Sequence, residues 1–115
     1  MQRRLRLTRN EDIKRVRQEG RTLANTMLVL GFLPNHLQNN RIAVIAGRSV
    51  GGAVQRNYAK RRLRSAYQSL MAEFVQGFDL MLIARKPILN VDYALIVEGL
   101  RALVERAGLM KDEAN

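Results

Sequence analysis

Ala53-Val54-Gln55-Arg56-Asn57-Tyr58-Ala59-Lys60-Arg61-Arg62-Leu63-Arg64 opens the stretch, residues 53–74, around which the chain is organised. Five of these twelve residues are Lys or Arg and none is acidic. The stretch still does not read as a disordered basic tail. Ala59, Leu63, Ala66 and Leu70 recur at helical spacing, with Tyr67, Met71 and Phe74 beside them. The pattern predicts a helix that packs one side on a core and turns charge outward toward a polyanion.

At about 100° per residue, Arg56, Asn57, Lys60, Arg61 and Arg64 share one broad sector, and Arg62 lies off it. Donors then line one flank over about 12 Å of axis, the reach of several successive phosphates. Arg forks can bind a phosphate at two points, and Asn57 offers a donor and an acceptor to a base edge or sugar hydroxyl. The bland alternative is a solvated helix face. Against it, no carboxylate stands between Arg41 and Glu73, and like charges this dense are unfavourable without a counter-anion.

The whole chain supports a polyanionic partner. It has 115 residues, which fits one RNA-binding domain over 1–115, and carries 20 Lys and Arg against 10 Asp and Glu, a formal charge of +10. A generally basic surface or a membrane-surface protein are the alternatives on charge alone. With no Cys, thiolate metal sites, disulfides and cysteine nucleophiles are excluded. With no Trp, three Phe and three Tyr, the core must come mainly from Leu, Ile, Val, Ala and Met. No apolar run approaches the ~20 residues of a membrane span, and the basic N-terminus has no apolar segment of a signal peptide behind it. The expected location is cytoplasmic.

Arg3 to Arg9 reads as an extended basic lead-in, either a solvated arm or one laid along a phosphate backbone. Thr8-Arg9-Asn10-Glu11 fits a capping box with Thr8 as N-cap, before a short helix over 10–19 stopped by Gly20. Residues 26–33 form a strand candidate closed by Pro34, and residues 41–46 the next; the two are expected to pair as an antiparallel hairpin. His36, the one His, falls in the polar loop between them and reads as a solvated loop residue. Gly51 and Gly52 allow backbone amides to approach a phosphate, with Arg48 at the same surface, but they are no P-loop. Gly77 is expected to end the long helix. Residues 78–84 are almost continuously apolar, which places that strand at the sheet centre or buried on both faces. Asp92 caps a last helix whose stripe is Tyr93, Ile96, Val97, Leu100, Leu103, Val104 and Ala107, ended by Gly108.

Gly51-Gly52-Ala53-Val54-Gln55-Arg56-Asn57-Tyr58-Ala59-Lys60-Arg61-Arg62-Leu63-Arg64-Ser65-Ala66-Tyr67 resembles the signature of the bacterial ribonuclease P protein subunit. Arg6-Leu7 with Asn10-Glu11-Asp12, Gly20 to Asn25, and Leu82-Ile83-Ala84-Arg85-Lys86-Pro87 are similar to other segments of that family, in the right order. The resemblance implies an α+β fold: a single-domain α-β sandwich of about four strands, like the second domain of a small-subunit ribosomal protein. It also implies a left-handed β-α-β crossover through the basic helix, against the general rule of hand. The fourth strand would be short, near residues 21–25, or a bend in the first.

The implied function is that of the protein subunit of ribonuclease P. It binds the catalytic RNA and the 5′ leader of precursor tRNA, promoting endonucleolytic removal of the leader. The resemblance and the basic flank together place the catalytic RNA on Arg48, Arg56, Asn57, Tyr58, Lys60, Arg61 and Arg64. The leader would lie on Arg6, Ile13 and Arg17, in a cleft of the sheet and first helix. Catalysis would belong to the RNA, with Mg²⁺ held mainly there. The residues agree: the acidic side chains are scattered, and no catalytic constellation is read on the protein.

The chain departs from the family at three places. Tyr58 stands where a third strong phosphate contact is usual, and is expected to stack on a base or ribose instead. Ile13 and Arg17 stand where aromatics often face the leader, favouring phosphate contact over stacking. Gly52 replaces a frequent Asn. A non-catalytic module for structured RNA, ribosomal or assembly-related, would explain the charge equally well. A stand-alone protein nuclease would instead require carboxylate-dependent cleavage by the protein without RNA.

Overall fold

The computed structural model describes residues 5–112, so Arg3 and Arg4 of the lead-in and residues 113–115 of the polar tail lie outside the described residues. The elements run α1 (Asn10–Glu19), β1 (Arg21–Ala24), β2 (Leu28–Pro34), β3 (Arg41–Ile45), α2 (Ala53–Leu70), β4 (Phe78–Ala84) and α3 (Tyr93–Arg106). Single 3₁₀ turns lie at Arg48–Val50, Met71–Glu73 and Lys86–Leu89.

The strand order is β1-β2-β4-β3. β2 pairs antiparallel with β1 and β4, and β3 pairs parallel with β4. The expected β2–β3 hairpin is therefore absent, because β4 lies between them. The reason is the composition of β4. Leu80, Met81 and Leu82 are each at most 2% exposed, so both faces are covered and both edges must be paired. The loop at residues 35–40 spans the start of β4. Asn35 N–H donates to Gly77 O (2.9 Å), and Asn40 Oδ1 accepts from Phe78 N–H (2.8 Å). A six-residue loop easily crosses the roughly 10 Å between strands two places apart. The parallel β3–β4 pair needs a crossover, and α2 is that crossover. β1 takes the short option at residues 21–24. Its turn into β2 is held by Asn25 Oδ1, which accepts from Met27 N–H and Leu28 N–H (2.8 and 2.9 Å).

The pleat splits the sheet into two faces. Leu28, Leu30, Phe32, Ile42, Leu80 and Leu82 meet α2 (Ala59, Leu63, Ala66, Tyr67, Leu70) and α3 (Ile96, Leu100, Leu103, Val104) in the main core. Ala43 and Met81 meet Leu7 and Val16 of the α1 side in a smaller one, with Ile13, Leu33, Ile45 and Ile83 packed around it. One face thus carries two helices and the other only α1.

Three local expectations change. α1 is capped by Arg9, with no side-chain cap bond. Leu7, tied to the sheet through its N–H to Ile42 O (2.8 Å), fixes where the chain turns, and Glu11 stays exposed rather than reaching back. α2 ends at Leu70 with a 3₁₀ turn after it, and Gly77 (φ +101) makes the turn into β4 instead of the helix end. Phe74, beyond the helix, is 2% exposed and meets Tyr67 edge-on at 5.6 Å. Tyr93 is 41% exposed and leaves the α3 stripe, its hydroxyl 2.8 Å from Ser65 Oγ. Gly20 joins α1 to β1 where no side chain fits: a Cβ there would lie 2.5 Å from Val16 O and 2.7 Å from Phe32 O.

Candidate nucleic-acid interface

α2 begins after Gly51, whose φ of +144 favours glycine, and no side chain caps its first turn. Ala59, Leu63, Ala66, Tyr67 and Leu70 are buried. From that anchored side the helical period sets two flanks. Arg56, Lys60, Arg64 and Gln68 run along the flank toward β3. Tyr58, Arg62 and Ser65 run along the flank toward the start of α3. Arg61 stands furthest from the core, between them. Asn57, Arg61 and Arg64 are exposed, Arg56 and Lys60 half-buried. Arg48 is exposed in the 3₁₀ turn that leads into α2.

The charges of this surface are not internally matched. Among the described residues the ion pairs are Arg15–Asp12, Arg41–Asp12, Arg41–Asp79 and Arg101–Glu73. None involves Arg48, Arg56, Lys60, Arg61 or Arg64. A helix seated on a core therefore presents a row of cations whose counter-charge must come from outside.

Arg62 has a different task. Its guanidinium donates to Val91 O and to the Tyr58 hydroxyl (2.6 Å), and it braces α2 against the segment entering α3. Tyr58 is 38% exposed, with the guanidinium carbons of Arg61 and Arg62 at 5.7 and 5.2 Å from its ring centroid. Its ring thus holds two cations in place, and it belongs to the Arg62 flank rather than to the row of Arg56, Lys60 and Arg64.

On the opposite face, Ile13 is half-buried against the smaller core and Arg17, one turn on, is exposed. Beside α1 the aligned residues Val29, Ile83 and Ile45 form a half-exposed apolar row across three strands. Sequence reading missed this row, because its continuity depends on strand order.

It also missed the network that seats α1. Arg41 makes a two-point bond to Asp79 (Nε–Oδ1 2.8 Å, Nη2–Oδ2 2.7 Å) and lies 3.5 Å from Asp12 Oδ2. Asn35 Nδ2 also donates to Asp79 (3.0 Å), and Arg15 pairs with Asp12. The hydrogen bonds to Asp79 raise the Arg41 pKa above its ordinary value, outweighing burial. The signal available beforehand was Asp79 itself, a lone carboxylate in an apolar strand.

Arg6 lies away from Ile13 and Arg17. It aligns with Ile42 on the outer edge of β3 and lines a cavity of about 290 Å³ with Ile42, Val44, Arg64 and Gln68. Among the described residues no group of three His, Asp or Glu could hold a metal ion, and no helix is long and apolar enough to cross a membrane.

The sequence matches the family described as Ribonuclease P over residues 1–108. It is 36% identical to the ribonuclease P protein component of Chloroflexus aurantiacus, covering 100% of this chain and 86% of that one. It is 31% identical to the same component from Caldanaerobacter subterraneus, covering 93% and 92%. The RNase P protein of Thermotoga maritima superposes with a TM-score of 0.79 at 30% identity, over 88% of this chain and 96% of that one. The Staphylococcus aureus RNase P protein, at 24% identity, shares the fold with a TM-score of 0.81 over 93% and 98%.

Proposed function

The chain belongs to the ribonuclease P family, and from that premise we propose that α2 seats the catalytic RNA while the α1 face of the sheet receives the precursor tRNA leader. As a protein subunit of ribonuclease P it serves 5′ maturation of tRNA, with the hydrolysis carried by the RNA. The observation that carries the α2 assignment is the unmatched row of Arg56, Lys60, Arg61 and Arg64 on a helix fixed to the core. Arg48 and Asn57 extend it, and Tyr58 contributes by holding Arg61.

The leader assignment rests on the single-helix face. Val29, Ile45 and Ile83 offer an apolar floor, and Arg17 offers a cation at its rim. Such a surface favours phosphate contact and loose apolar packing over sequence readout. Mg²⁺ would sit with the RNA. The two buried carboxylates of the described residues, Asp12 and Asp79, are committed to Arg15 and Arg41, and among the described residues no group of three His, Asp or Glu could hold a metal ion. Work on precursor tRNA would place the protein in the cytoplasm.

The test is cleavage of precursor tRNA by the cognate RNA at low Mg²⁺, with and without the protein. Added protein should raise the rate or lower the Mg²⁺ requirement, and no change in either rejects the reading. Arg17→Ala should weaken precursor binding more than mature tRNA binding, and an equal loss for both would remove Arg17 from the leader site.

A further inference from the structure

Arg6 and Arg64 reach the same cavity from distant parts of the chain, and the pleat explains how. Paired residues on neighbouring strands share a face, and faces alternate along a strand. Arg6 aligns with Ile42, which belongs to the α2–α3 core, whereas Leu7 belongs to the α1 core. The Leu7 N–H bond to Ile42 O (2.8 Å) locks this register. The side chain of Arg6 is therefore on the α2 side of the sheet, away from Ile13 and Arg17. One helical turn separates Arg64 from Gln68, and both line one cavity with Arg6, Ile42 and Val44.

We infer that Arg6, Arg64 and Gln68 form a single-nucleotide seat for the catalytic RNA, in which the two guanidinium groups grip one phosphodiester and its ribose lies over Ile42 and Val44. The cavity, about 290 Å³, has an apolar floor and a rim of three donor side chains. Among the described residues none of the three side chains has a hydrogen bond or ion pair within the protein. Two cations held together without a carboxylate call for a shared anion. This rests on α2 being the catalytic-RNA surface, and it moves Arg6 from the leader to that surface.

The experiment is a double-mutant cycle, measuring affinity of the full chain for its cognate catalytic RNA across a salt series. Arg6→Ala and Arg64→Ala should each weaken binding about tenfold and flatten the log–log salt slope by about 0.7–0.9. The double variant should lose clearly less than the product of the two single losses, since either change breaks the shared grip. Gln68→Glu, an exposed change that leaves the core untouched, should weaken binding by placing a carboxylate beside the phosphate. The ratio of precursor to mature tRNA affinity should not move with Arg6→Ala. Independent losses, or an Arg6→Ala effect confined to that ratio, would overturn the seat. Arg61→Ala is the control that separates the two claims. If it weakens catalytic-RNA binding and Arg6→Ala does not, the seat alone fails; if neither does, the α2 surface fails with it.

Discussion

Removing the Asp79 carboxylate should cost the fold heavily, and removing its partner should cost more. Asp79 is 3% exposed and takes two bonds from Arg41 and one from Asn35. Asp79→Ala leaves Arg41 facing only Asp12 at 3.5 Å, but the Arg41 side chain keeps 24% exposure and can turn to water. Breaking a buried pair costs about 3–5 kcal/mol, and this partial exposure puts Asp79→Ala at the lower end, about 3 kcal/mol. Arg41→Ala instead strands a buried carboxylate with Asn35 as its main donor, which puts it near the upper end, about 5 kcal/mol. Against a total of roughly 5–15 kcal/mol, either is a large share. Urea unfolding monitored by circular dichroism reads the effect; with a slope of about 2 kcal/mol/M, Asp79→Ala should lower the midpoint by about 1.5 M. Losses below about 1 kcal/mol for both variants, or a larger loss for Asp79→Ala, would refute this account of how α1 is seated.

Alkali should unfold the protein through Tyr67, whose buried phenol is pushed up to about 12. The unfolded chain ionises near pH 10, so stability is whole below that and falls by about 3 kcal/mol as the pH rises to the folded value; Tyr67→Phe should flatten that part of the stability profile. Arg62→Ala should cost about 1.5–3 kcal/mol in urea unfolding, from the lost bonds to Val91 O and Tyr58. A neutral result would mean that α2 needs no brace on that flank. Gly20→Ala should destabilise by about 1–3 kcal/mol, because the added methyl meets two backbone carbonyls; an unchanged melting temperature would show that the α1–β1 junction yields freely.

What was legible beforehand was what depends on neighbours in the chain. The bounds of α1 and β4, and the buried stripe Ala59, Leu63, Ala66, Leu70, follow from local periodicity and match the structure. The separation of Arg62 from the basic sector was legible for the same reason. Strand order was not. Residues 26–33 and 41–46 look like a hairpin until the apolar demand of β4 is allowed to compete for the place between them. The Arg41–Asp79 pair and the row Val29, Ile83, Ile45 exist only in the register that this competition selects. Arg6 was assigned to the leader through resemblance, whereas its side is decided by a single alignment with Ile42. Thr8 shows the limit of local propensity, since a backbone bond at Leu7 overrides an apt capping sequence.

The central place of β4 also sets a timetable. β2 and β3 share no neighbouring strand until residues 78–84 have been made, so only the local β1–β2 hairpin can close early. Every β2–β4 and β3–β4 contact spans a long loop, and such topologies fold slowly because closure entropy comes first. α2 lies inside the β3–β4 loop, so its mutually repelling cations gain a floor only when that last strand inserts. Competence to hold RNA is thus a late product of synthesis: a chain truncated before β4 would carry most of the charge and none of the shape.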